Sequence, residues 1–201
     1  MNGGTLATVI RCGTLLEGAG GIQRDVAVTV AGGRIADIAR WNGHLRGADS
    51  QFLDAGACTV MPGLFDCHDH LAAPPRSLAE RSATPPSLHV LRVAETMRRV
   101  LRSGFTTVRD AGGLDLGLKM AVEQGVLAGP RVLVSLAIIT QTAGLSDFTN
   151  AVGFNGDVLR LPGTPDGVCD GADQARAMTR RLISIGYGPG PRSQQDVYTY
   201  L

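Results

Sequence analysis

The sequence is short of lysine, histidine and aromatic residues. Its 201 residues include one Lys, Lys119, against 18 Arg, and only four His, one Trp, three Tyr and five Phe. Nineteen basic residues face 18 acidic ones, a net charge of +1, so no excess of one sign argues for a nucleic-acid partner or an anionic membrane surface. Long apolar runs are also missing. The most apolar stretch, 126–139, is broken by Gly129, Pro130 and Arg131 and falls short of the run of about 18 residues that a membrane span requires. At the N-terminus, Leu6 to Ile10 is too short for a secretory apolar region and runs straight into Arg11, so the expectation is an unexported, cytoplasmic chain. Cys12, Cys58, Cys67 and Cys169 form no CxxC pair. They are expected to behave as small buried hydrophobes in a reducing compartment.

What is present is a globular composition: 44% apolar and 18% charged residues, with 27 Gly and 10 Pro that follow no period. The first 60 residues read as short strands. Leu6 to Arg11 is one, and Val26, Val28 and Val30 alternate with polar or small residues in a second, the period of two that marks a strand. Gly32-Gly33 then supplies two adjacent positive-φ positions before Arg34 to Arg40, which predicts a tight antiparallel hairpin. From Val60 the rhythm becomes strand, loop, helix. Leu64 to His70, Thr106 to Arg109 and Arg131 to Leu136 read as strands. Ser87 to Arg102, Leu114 to Leu127 and Gly171 to Ile185 read as helices, with Ser87 the expected N-cap of the first and Gly104 its stop. Apolar strands alternating with helices imply a buried parallel sheet. Residues 141–170 are rich in loop formers. After Gly186 a Gly-Pro-Gly-Pro run and all three tyrosines (Tyr187, Tyr198, Tyr200) mark a divergent tail. The expected division is 1–60, a region of short strands; 61–186, strand-helix units; and 187–201, the tail.

The chemistry is concentrated in Pro62-Gly63-Leu64-Phe65-Asp66-Cys67-His68-Asp69-His70. In an extended strand, residues i and i+2 share a face, so His68 and His70 project together with Asp66 behind them. Phe65 and Cys67 point the other way, where an outer helix layer is expected to cover them. Two imidazoles so placed can reach one metal ion at about 2.0–2.1 Å, and a neighbouring carboxylate can fix a ligand tautomer. The bland alternative is a pair of histidines at a strand end. Arg109 and Asp110, at the end of the next strand, either face the mouth of a barrel, if the strands close into one, or form a structural ion pair. Lys119, on a helix, is expected to be a solvated surface residue.

The string from Thr59 to Leu71 strongly resembles the first barrel strand of the amidohydrolase superfamily of metal-dependent hydrolases. Residues 24–57 resemble the small β-sandwich that precedes it. Gly104-Phe105-Thr106-Thr107-Val108-Arg109-Asp110-Ala111-Gly112-Gly113 and Gly129-Pro130-Arg131-Val132 resemble the second and third barrel units of the imidazolonepropionase-like and Xaa-Pro dipeptidase-like branch. The resemblance covers about residues 5 to 186. It departs at Leu145, after Gly144, where relatives usually carry a His.

The resemblance implies a (β/α)8 TIM-type barrel with His68 and His70 as first-strand metal ligands. One or two divalent ions, zinc by preference, would activate water against an amide, cyclic amide or dipeptide substrate, and Asp66, Arg109 and Asp110 are, by their places on the strands, the candidates to stand behind the two ligands. It also implies a strand-four carboxylated Lys or carboxylate, a His on each of strands five and six, and a strand-eight Asp. This chain offers none of these: His44, His89 and Lys119 lie on other elements. A full barrel takes about 250 residues, so the expected fold is an incomplete one, with the first three to four units. The expected state is an N-terminal portion that is inactive alone. The alternatives are a non-catalytic remnant, or a subunit whose barrel a second polypeptide or a homo-oligomer completes.

Overall fold

The computed structural model describes residues 6–43, 50–73, 77–149, 153, 160–161 and 163–186. The expectations for His44 and for the tail 187–201 fall outside them. The chain divides into two compact units, Met1–Pro62 and Gly63–Leu201.

The first unit is a four-stranded sheet of β1 (Ala7–Leu16), β2 (Ile22–Ala31), β3 (Arg34–Arg40) and β4 (Ser50–Val60), in the order β3-β2-β1-β4. The predicted hairpin forms. Ala31 pairs with Arg34 across Gly32 and Gly33, whose φ angles are +58° and +72°, the left-handed conformation that a two-residue hairpin turn requires. β4 lies parallel to β1, with a register shift between Cys12 and Thr14. Val26 and Val28 are buried by alternation along β2, whereas β1, whose register with β4 shifts between Cys12 and Thr14, buries every third residue, Val9, Cys12 and Leu15. Trp41 stacks on Phe52 with ring centroids 5.5 Å apart, and the Arg11 guanidinium lies 5.7 Å from the Trp41 ring centroid.

The second unit is a parallel sheet in the order β5-β6-β7, formed by Leu64–Asp69, Phe105–Asp110 and Arg131–Val134. Helices α1 (Leu78–Ser82), α2 (Pro86–Arg102), α3 (Leu116–Glu123) and α4 (Ala172–Gly186) accompany it. Among the described residues the sheet does not close into a barrel. Its core joins Val108, Val132 and Val134 of the strands to Val93, Met97, Leu118 and Leu182 of the helices.

Several expectations are corrected. α2 starts at Pro86, after Pro85 at the N-cap position and without a side-chain cap. Proline's fixed φ suits the first helical position and overrides Ser87 as the cap. α3 starts at Leu116 because the Asp115 side chain accepts the Leu118 N–H at 2.8 Å. Lys119 is buried, its ammonium paired with Glu123 one turn on; a long aliphatic stem lets the charge reach a partner while the methylenes pack. Cys12 and Cys169 are buried as expected, whereas Cys58 and Cys67 are exposed. Phe65, on the same face of β5 as Cys67, is 69% exposed. No described helix is long and apolar enough to cross a membrane.

Candidate metal and ligand site

The C-terminal ends of β5, β6 and β7 carry the candidate site. β5 ends in Asp66-Cys67-His68-Asp69, and His70 follows it directly. Two carboxylates hold the backbone here: Asp66 Oδ1 accepts the His68 N–H at 3.0 Å, and Asp69 Oδ1 accepts the His70 N–H at 2.7 Å. The two imidazoles stand edge to face, with ring centroids 5.3 Å apart. His68 is exposed and His70 half-buried. His70 Nδ1 lies 3.1 Å from the Gly112 carbonyl oxygen.

That carbonyl can only accept, so the bond places the proton on Nδ1 and leaves the Nε2 lone pair for a cation. Metal-ligating histidines commonly have this arrangement, with the second ring nitrogen donating to a carbonyl or carboxylate. His70 can therefore offer Nε2 to a divalent ion, and the His68 ring stands beside it. Among the described residues, no group of three or more His, Cys, Asp or Glu is placed to hold a metal.

Asp110, at the end of β6, is completely buried. Its Oδ2 accepts the Leu71 N–H at 2.8 Å, and its Oδ1 accepts those of Gly112 and Leu114 at 3.0 and 3.2 Å. Burial raises its carboxyl to about 6, against the pull of these three amides and of nearby His70. Arg109, next to it on β6, is half-buried.

Beside His70 opens a cavity of about 310 Å³, within the size range of small-molecule sites. Its walls are mainly apolar and include Leu136, Ile138 and Phe148, while Arg81 and Arg160 supply positive charge. None of the described lining residues is acidic. Arg81 comes from α1, which a reciprocal bond pair between Ser77 and Glu80 starts, and burial lowers its guanidinium pKa from the ordinary value. Arg160 is held by Asp166 at 2.8 Å. Leu136 adopts φ +66° in a tight turn that the Ala137 N–H closes onto the Ser135 carbonyl at 2.8 Å. A left-handed leucine costs on the order of 1–3 kcal/mol, and here it forms cavity wall.

Sequence reasoning picked out His68, His70, Asp66, Arg109 and Asp110 but missed the cavity residues. Gly112-Gly113 directly after a strand was the one available signal. Arg81, Leu136 and Arg160 carry no local mark.

Comparison with known proteins follows the same lines. A family model described as the amidohydrolase family matches residues 59–187. An ochratoxinase of Aspergillus niger is 29% identical over 196 residues, spanning 89% of this chain and 40% of that protein. Among solved structures, a prolidase complexed with N-methylphosphonate-L-proline superposes with a TM-score of 0.77 and 32% identity over 90% of this chain and 44% of its own. A Xaa-Pro dipeptidase with methionine bound in its active site gives a TM-score of 0.73 and 27% identity over 90% and 45%. The chain thus spans about two fifths of the length of the relatives it matches.

Proposed function

The chain belongs to the amidohydrolase family, and from that premise we propose that it contributes His68 and His70 as zinc ligands to a hydrolase of amide-type carbon–nitrogen bonds. The observation that carries this is the His70 Nδ1 contact with the Gly112 carbonyl at 3.1 Å, which leaves the Nε2 lone pair available to a cation on a residue that lines the cavity. Divalent metals are general in the family; bound here, one would polarise a carbonyl and acidify a water. The protein's own part is to orient the imidazoles through Asp66 and Asp69 and to seat the substrate. Its apolar portion would lie on Leu136, Ile138 and Phe148, and its free carboxylate at Arg81 and Arg160. A small amide or dipeptide fits that cavity, and the N-methylphosphonate-L-proline and methionine bound by the two relatives support such a ligand. The four free cysteines suit a reducing, cytoplasmic setting.

A second reading has an observation of its own. Two imidazoles fall short of the three or four protein ligands of usual zinc sites, and no described side chain supplies the rest. On this reading the chain is inactive alone and serves as a partial subunit or a non-catalytic remnant.

Zinc titration of the 201-residue chain, followed by calorimetry, tests the first reading. One zinc per chain is expected, with affinity falling about tenfold or more in His68→Ala and His70→Ala. Equal affinity in wild type and both variants would remove the two histidines from the site. A dipeptide or N-acyl amino acid screen on the zinc-loaded chain separates the two readings, since turnover contradicts inactivity.

A further inference from the structure

We infer that Asp110 is the positioning residue of His70: one buried carboxylate ties down both partners of the His70–Gly112 contact and thereby fixes which ring nitrogen is presented to a ligand. Oδ2 holds the backbone N–H of Leu71, the residue directly after His70, at 2.8 Å. Oδ1 holds the N–H groups of Gly112 and Leu114 at 3.0 and 3.2 Å. These bracket the peptide whose carbonyl meets His70 Nδ1 at 3.1 Å. The bonds close a ring from His70 through Leu71, Asp110 and Gly112 back to the imidazole.

The ring needs a tether of this kind. Gly112 and Gly113 sit at φ +143° and +104°, conformations that glycine adopts without supplying any side chain to hold them. A Cβ on Gly112 would come within 2.5 Å of Ile138, so the carbonyl's position depends on a residue that cannot anchor itself. Backbone bonds also join the β6 end to its neighbours, the Ala111 N–H to the Asp69 carbonyl at 2.7 Å and the Ser135 N–H to the Asp110 carbonyl at 3.2 Å. Neither reaches the Gly112–Gly113 peptide. A carboxylate accepts from several amides at once, which neither an amide nor a hydroxyl side chain can match. With Gly112 fixed, its carbonyl accepts only from a protonated Nδ1, and Nε2 keeps its lone pair.

The test reads the tautomer and needs no metal. Long-range proton–nitrogen NMR of the nitrogen-15-labelled chain, with His70 assigned from His70→Gln, should show the Nδ1–H form dominating in the wild type. In Asp110→Asn, whose amide faces the same three N–H donors with one acceptor fewer, the ratio of tautomers should fall about tenfold, and zinc affinity with it. Asp110→Ser provides a smaller side chain should the Asn variant not fold, with folding checked by far-UV circular dichroism. The inference is overturned by a wild-type His70 in the Nε2–H form, by a folded variant that keeps the wild-type ratio, or by loss of fold in both variants, which would make Asp110 a folding residue. It rests on the zinc-ligand reading only for its consequence. A wild-type chain that binds no zinc sinks the proposed function and leaves the tautomer result to stand or fall by itself.

Discussion

The sheet of the first unit and the sheet of the second use strands of similar composition and bury them very differently. In the first, the core is Cys12, Leu15, Val26 and Val28, with Ile10, Val30 and Val60 at its edge, and Ile35, Phe52 and Leu53 remain exposed. In the second, fifteen buried residues drawn from β6, β7, three of the helices and the loops between the elements form one cluster. The first sheet is antiparallel except at its β1–β4 pair and can leave one face to solvent, whereas the parallel strands of the second are joined through helices that supply a covering layer. The difference assigns stability and chemistry to the same place. The ends of β5, β6 and β7 can hold His70, Asp110 and the strained Leu136 because a large core lies beneath them.

The largest loss of stability should come from hollowing out the second core. Met97, fully buried on α2, should cost about 3 kcal/mol when truncated to Ala. The two units can be read separately. The only tryptophan, Trp41, lies in the first unit, and every described helix lies in the second. In Met97→Ala the helical circular-dichroism transition should move to lower denaturant while Trp41 fluorescence stays in place. A matching shift of both signals would mean that the units unfold as one and that the comparison is only geometric.

The cavity sharpens the comparison on the chemical side. Arg81→Met keeps length and apolar surface while removing the charge. NMR titration with N-acetyl-L-leucine should therefore show affinity lower by about tenfold, or 1.4 kcal/mol. N-acetyl-L-leucinamide, which lacks the carboxylate, should bind both proteins alike. Equal loss for the two ligands would assign Arg81 to cavity shape and not to anion recognition.

How much of this was legible follows the reach of each interaction. Gly32-Gly33 announced the hairpin, because adjacent glycines between two strand-like runs adopt without strain the two positive φ angles that a two-residue turn requires. His68 and His70 were legible as a pair because strand geometry alone puts i and i+2 on one face. β4's parallel place beside β1 was not, since nothing local in residues 50–60 names its partner. Nor was the burial of Asp110, whose compensation comes from backbone amides, one of them on Leu71, 39 residues earlier. A carboxylate satisfied by side chains leaves a pattern of basic residues, whereas one satisfied by amides leaves none. Lys119 misled for a related reason: whether a lysine snorkels or lies in water depends on what packs over its stem.

The smallest expected effect is the one on which the sequence was clearest. Gly33 holds φ +72° with nothing within 4 Å of where a Cβ would sit, so Gly33→Ala meets no clash, and its penalty of about 1 kcal/mol is purely conformational. Gly32, at φ +58° and equally open, should accept Asn at almost no cost, because Asn tolerates the left-handed region and Asn-Gly is the favoured pair for this turn. Gly33→Ala should lower the Trp41 transition, Gly32→Asn should leave it in place, and neither should move the helical signal. If Gly33→Ala is as silent as Gly32→Asn, the turn does not set the β2–β3 register. The pairing of Val28 with Ile38 and of Ala27 with Ala39 must then do so through side-chain packing, which would make even the small core of the first unit more decisive than its turn.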